Sequence, residues 1–146
     1  MALLEARSIQ KVYTTRFGGN PVTALSNVSF SMEAGEYTVI MGESGSGKTT
    51  LLNILAALDR PTRGEVLLDG MNLSQIREKD IAAFRRDHLG FVFQDFNLLD
   101  TFSLRDNIFL PMVLAGKNFE EMNQRLIPIA KMLDISRSSV KRYLVS

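Results

Sequence analysis

The run Gly42-Glu43-Ser44-Gly45-Ser46-Gly47-Lys48-Thr49 constrains this chain more than any other feature, because it dictates a backbone path and what must flank it. It fits the pattern G-x-x-x-x-G-K-[ST]. At ordinary residue frequencies, a chance match in a chain this long has odds on the order of 1% or less. Glycines at 42, 45 and 47 admit backbone conformations that a Cβ forbids, so successive amide N–H groups can turn inward around an anion. The motif is expected to follow a buried strand and to open a helix. Both are predicted here: residues 37–41 (Tyr37-Thr38-Val39-Ile40-Met41) read as a strand buried on both faces, and residues 48–58 as a buried helix. The positive end of that helix acts on the same anion. Lys48 brings a full charge to the β and γ phosphates of a nucleotide, and the Thr49 hydroxyl is available to Mg²⁺ bridging them. Gly42, Ser44, Gly45, Ser46, Gly47, Lys48, Thr49 and Thr50 are therefore the expected phosphate-binding residues. The bland alternative is a glycine-rich turn that merely precedes a helix.

Composition narrows what the loop can serve. The 146 residues amount to about one domain. Hydrophobic residues make up 45% and charged residues 23% of the chain, close to the globular average. Seventeen basic against sixteen acidic residues leave a net charge of +1, so bulk electrostatics cannot be the basis of function. The absence of cysteine excludes a thiolate metal site and a cysteine nucleophile, and a single histidine argues against a histidine metal cluster or triad. No window of about 18 apolar residues is present, and the N-terminus lacks a signal-peptide layout. A cytoplasmic protein is expected. Arg125, Lys131, Arg137, Lys141 and Arg142 near the C-terminus read as a solvated face, and no nucleic-acid partner is expected.

Along the chain, residues 3–13 and 22–32 read as strands, the second alternating around Ala24, Val28 and Phe30. Phe17-Gly18-Gly19-Asn20-Pro21 is dense in turn formers. Pro61 to Gly64 breaks the helix that follows the loop. Residues 65–68, Asp69-Gly70 and residues 71–73 read as strand, turn and strand. A short helix is expected over residues 79–86, and an apolar strand over residues 89–93 ending at Gln94. Ser103 with Asp106, and Asn118 with Glu121, are helix starts of capping-box type. Pro111 is expected to kink or end the first of these helices, and Pro128 lies inside the second.

The segments around the loop carry a resemblance. Residues 24–30 (Ala-Leu-Ser-Asn-Val-Ser-Phe) and Gly35-Glu36 precede it. Leu51-Leu52-Asn53-Ile54-Leu55, Leu58-Asp59-Arg60-Pro61-Thr62, Gly64-Glu65-Val66, Asp69-Gly70 and Leu89-Gly90-Phe91-Val92-Phe93-Gln94 follow it. Together, from about Leu3 to Leu133, they resemble the nucleotide-binding subunit of an ATP-binding cassette (ABC) transporter. The likeness is to the bacterial subgroup of lipoprotein-release, macrolide and antimicrobial-peptide exporters. Phe84-Arg85-Arg86, Phe96-Asn97-Leu98-Leu99 and the stretch from Thr101 to Pro111 resemble bacitracin-type members.

The resemblance implies an α/β fold: the P-loop NTPase core of ABC type, with an N-terminal antiparallel β subdomain (about residues 1–34), a core to the Q-loop (35–94) and the start of a helical subdomain (95–146). It implies ATP and Mg²⁺ as ligands. Tyr13 falls where the family places an aromatic that stacks on adenine; the same ring would also serve as plain edge filler. Gln94 falls at the Q-loop, where its amide ligates Mg²⁺ and orients the attacking water; as a residue it is also an ordinary strand end. The stretch from Asp95 to Thr101 would meet a transmembrane permease, and a second ATP-binding subunit would complete each site head-to-tail. The protein would then be peripheral on the inner face of the membrane.

Ala57 stands where the family usually has glycine, and Arg63 where it often has serine. The signature Leu-Ser-Gly-Gly-Gln, the Walker B aspartate with its glutamate, and the switch histidine are not found within residues 1–146, and His88 precedes the Q-loop. The chain is thus expected to be the N-terminal part of the fold, to bind nucleotide without efficient hydrolysis, and to self-associate through an open strand edge. A small P-loop kinase, the competing reading, would place its loop near residue 10.

Overall fold

Ten residues from Leu4 to Tyr13 form the first strand and set the frame for the rest. The computed structural model describes residues 2–14, 19–93 and 97–135. The chain divides into two units, Met1–Leu89 and Gly90–Ser146. In the first unit, β1 (Leu4–Tyr13), β2 (Val22–Met32), β3 (Arg63–Leu68) and β4 (Met71–Asn72) build one antiparallel sheet in the order β2-β1-β3-β4. Helix α1 (Lys48–Leu55), a 3₁₀ turn (Leu73–Gln75) and α2 (Glu78–His88) complete it.

A bulge decides which side chains of β1 reach the core. Strict alternation would send Ala6, Ser8 and Gln10 to one face. Instead Ser8 takes a left-handed φ of 51°, and the pairing to β2 shifts register between Ala6 and Ile9. The extra residue flips the parity, so Ala6 and Ile9 are both buried. The Ser8 N–H, turned out of the ladder, donates to Ser29 Oγ at 2.8 Å. Ala6, Ile9, Leu25, Leu51, Ile54, Val66, Leu73 and Phe84 form the core cluster, with Ile9 and Ile54 almost fully enclosed. Burying such an aliphatic side chain is worth about 1.5–3 kcal/mol.

The expected strand-turn-strand at residues 65–73 is present but shorter at its end. Asp69 (φ 48°) and Gly70 (φ 74°) make the tight hairpin connection, since both central residues of such a turn need positive φ. Leu73 leaves the sheet to start the 3₁₀ turn. Helix α1 stops at Leu55 rather than residue 58. Ala57 adopts φ 53°, its N–H donates to the Ile54 carbonyl at 3.1 Å, and the Leu58 N–H donates to the Asn53 carbonyl at 2.9 Å. That is a Schellman ending, with Ala57 at the position where glycine is favoured.

Two expected strands do not form. Residues 37–41 and 89–93 carry no strand pairing, and Tyr37 and Met41 are 89% and 85% exposed. The reading of residues 37–41 as a strand buried on both faces is overturned. A strand exists only through inter-strand hydrogen bonds, and neither run has a ladder partner among the described residues.

In the second unit, α3 (Leu104–Leu114) and α4 (Phe119–Met132) both run through their internal prolines, Pro111 and Pro128. Both predicted starts hold: Ser103 Oγ accepts from the Asp106 N–H at 3.1 Å, and Asn118 Oδ1 accepts from the Glu121 N–H at 2.9 Å. Phe109 meets Phe119 edge-on at 6.0 Å between centroids, with the Arg105 guanidinium over both rings. Among the described residues no helix is long and apolar enough to cross a membrane.

Candidate nucleotide-binding site

The loop of residues 42–47 leads straight into α1, and Gly47 is the N-cap, at φ 88° with no side-chain capping bond. Only glycine fits there. A Cβ on Gly47 would lie 2.4 Å from the Ala24 carbonyl oxygen and 2.9 Å from Leu25 Cδ2. This close approach seats the loop on β2, while the core residues Leu51 and Ile54 anchor α1 on its buried side. The first amides of α1 have no side-chain cap, so they remain donors for an anion.

Lys48 turns back over the loop. Its Nζ donates to the Gly42 carbonyl at 2.7 Å, the Glu43 carbonyl at 2.6 Å and Ser46 Oγ at 3.3 Å. The ammonium is thereby held at the loop's mouth beside backbone groups that bind it only as weak neutral acceptors. A phosphate oxygen offers a stronger, charge-assisted bond. The loop itself is exposed from Gly42 to Ser46, as is Thr49.

The donor set fits Mg²⁺ held mainly by nucleotide phosphates. Among the described residues no group of three or more His, Asp or Glu side chains could cage an ion. Mg²⁺ characteristically keeps waters and substrate phosphates in its shell with one or two protein oxygens. The Thr49 hydroxyl is an oxygen ligand of that kind. Gln94, the other expected ligand, lies outside the described residues, as do Asp95 and Phe96.

Tyr13 ends β1 and is 43% exposed. Its hydroxyl donates to Asp59 Oδ2 at 2.9 Å, and Lys11 Nζ sits 4.8 Å from the ring centroid. Lys11 also donates to Asp59 Oδ1 at 2.6 Å and to the Arg60 carbonyl at 2.8 Å. Burial of Asp59 opposes its ionisation. The bonds from Lys11, the Arg60 N–H and the Tyr13 hydroxyl, with the charge of Lys11, outweigh that and hold the carboxyl below its ordinary pKa.

Sequence reasoning gave Asp59 no role. Its local pattern, Asp-Arg-Pro after a helix, signals only a turn, and its partner Tyr13 lies 46 positions away. Asn107 was missed too. Its Oδ1 accepts from the Leu99 N–H at 2.8 Å, and its Nδ2 donates to the carbonyls of Leu99, Phe102 and Ser103 at 3.1–3.3 Å. It ties down the turn that carries the exposed Leu98 and Leu99. His88 stacks on Phe84 at 4.7 Å, a packing role.

The sequence matches the family described as ABC transporter over residues 25–144. The chain belongs to the ABC transporter family. It is 46% identical over 135 residues to the uncharacterized ABC transporter ATP-binding protein YvcR of Bacillus subtilis, covering 92% of this chain and 52% of that protein. It is 40% identical over 135 residues to the bacitracin export ATP-binding protein BceA of Halalkalibacterium halodurans, covering 92% of this chain and 53% of that one. In three dimensions it superposes on the dimeric ATP-binding cassette MJ0796, in a post-hydrolysis state bound to ADP and Pi. The TM-score is 0.82 and the identity 34%, over 94% of this chain and 60% of the cassette. The fold is that of the ABC cassette, and the chain spans about half the length of the curated relatives it matches.

Proposed function

We propose that this chain is the ATP-binding part of an ABC exporter, holding Mg-ATP between its phosphate loop and Tyr13. The observation that carries the reading is the Lys48 ammonium poised over the loop, 2.7 and 2.6 Å from the Gly42 and Glu43 carbonyls. On nucleotide binding, Lys48 exchanges those carbonyls for β and γ phosphate oxygens. The amides of residues 44–50 surround the phosphate chain, with Gly42, Gly45 and Gly47 providing the backbone path. Thr49 and Gln94 would hold Mg²⁺, which would neutralise phosphate charge when bound. Gln94 also orients the water, and Tyr13 stacks on the base.

In this reading residues 1–34 are the β subdomain, 35–94 the core to the Q-loop, and 95–146 the start of the helical subdomain. A second ATP-binding subunit packs head-to-tail to complete each site. The stretch from Asp95 to Thr101 meets a permease, which places the protein on the inner face of the membrane. A peptide antibiotic or similar amphiphile is the proposed cargo, supported by the likeness to a bacitracin export protein. Residues 1–146 by themselves bind nucleotide without efficient hydrolysis, because they hold no glutamate at a Walker B motif to polarise the attacking water.

Lys48→Ala tests the reading. Losing a charge-assisted contact to phosphate costs roughly 1.5–3 kcal/mol, so Mg-ATP affinity measured by calorimetry falls at least about tenfold while far-UV circular dichroism is unchanged. Unchanged affinity would remove the phosphate-loop assignment.

A further inference from the structure

We propose that Asp59, with Lys11, is a positioning residue that fixes the Tyr13 ring for stacking on the nucleobase, and so sets how much the base contributes to nucleotide affinity. The proposal deepens the reading of Tyr13 given above and rests on it.

An exposed tyrosine at a strand end has two soft torsions, and stacking on a base requires both to be held. Here two contacts hold them. Asp59 Oδ2 takes the hydroxyl at 2.9 Å, which pins the far end of the ring. Lys11 Nζ lies over the ring 4.8 Å from its centroid, a cation–π distance that commits one face to the lysine. On a side chain 43% exposed, the opposite face is the one proposed to receive the base.

Asp59 is itself well fixed. Its backbone N–H donates to the Asn53 carbonyl at 3.2 Å, and Oδ1 accepts from Lys11 Nζ at 2.6 Å and from the Arg60 N–H at 2.7 Å. Asn53 belongs to α1, the helix whose other end carries the phosphate loop. One rigid helix therefore spans from the phosphate-binding amides to the carboxylate that orients the ring. Base and phosphate sites are set at a fixed separation, which pre-organises the nucleotide's two ends together. The carboxylate stays ionised at neutral pH, since its hydrogen bonds and the Lys11 charge lower its pKa against the effect of burial.

The test is a set of calorimetric titrations with Mg-ATP and with magnesium tripolyphosphate, which has no base. The proteins are the wild type, Tyr13→Ala, Tyr13→Phe, Asp59→Ala and the double variant Tyr13→Ala/Asp59→Ala. Asp59→Ala and Tyr13→Phe each weaken Mg-ATP roughly three- to tenfold, the worth of one hydrogen bond, and leave tripolyphosphate affinity unchanged. In the Tyr13→Ala background, Asp59→Ala has no further effect on Mg-ATP. Tyr13→Phe loses only a hydroxyl, so it reads the contact even if Asp59→Ala does not fold. A fall in Mg-ATP affinity for Tyr13→Ala with none for Tyr13→Phe or Asp59→Ala overturns the positioning role alone. An equal loss of ATP and tripolyphosphate in Asp59→Ala overturns it as well, making the aspartate a support of the loop. No loss in Tyr13→Ala overturns the base-stacking reading beneath it.

Discussion

β3 and residues 37–41 are both short runs between turns, and by side-chain type the second is the better strand. It contains Tyr37, Thr38, Val39 and Ile40, all strand formers, whereas β3 opens on Arg63-Gly64-Glu65. Yet β3 pairs on both sides, with β1 through Leu4 to Leu68 and Ala6 to Val66, and with β4 through Leu67 to Asn72. Residues 37–41 pair with nothing among the described residues and expose most of their apolar surface. The difference lies in partners. A hairpin turn at Asp69-Gly70 hands β3 one neighbour, and β1 supplies the other. Propensity prepares a backbone for a ladder, and satisfied N–H and C=O groups decide whether it becomes one.

Substitutions can break or sharpen that contrast, and urea unfolding followed by circular dichroism reads each of them. Val66, buried at the centre of the sheet, carries the largest expected effect. Val66→Ala destabilises by about 2–3 kcal/mol, combining lost burial with a residual cavity. Next comes Ser103, whose side chain supplies the Asp106 N–H with its partner. Ser103→Ala orphans that N–H and costs about 1 kcal/mol. Ala57→Gly reverses the sign. The Schellman bonds remain and the left-handed strain at φ 53° is relieved. Stability then rises by about 0.5–1 kcal/mol. Val39→Ala, at the unpaired run, changes stability by less than about 0.5 kcal/mol. A cost at Val39 equal to that at Val66 would mean that residues 37–41 are buried in solution, and the contrast would collapse.

What could be read from the sequence follows the same division. Local backbone structure was legible: the glycine loop that opens α1 at Lys48, the caps at Ser103 and Asn118, and the Asp69-Gly70 turn each act over a few residues. The sheet's first two strands were legible as well, nearly to their ends. Features made by distant partners were hidden. The bulge at Ser8 depends on its pairing with β2, and it moved Ile9 to the core against simple alternation. The Tyr13–Asp59 bond joins β1 to the segment beyond α1, and nothing near either residue announces the other. The strand expected at residues 37–41 failed for the converse reason, since its pattern was right and its ladder absent. The family resemblance supplied a role for Tyr13 by position, but not the contacts that hold its ring.

Asn107 carries a different kind of consequence. One amide side chain bonds the backbone at Leu99, Phe102 and Ser103, so hydrogen bonds hold the turn ahead of α3 although it is exposed up to Ser103, which is buried. Leu98 and Leu99 are about half exposed on that hydrogen-bonded turn. A surface that covers them gains their apolar area and loses little chain entropy in doing so, because the ordering was done at folding. The Asn107 bonds thus tie the presentation of Leu98 and Leu99 to the first turn of α3.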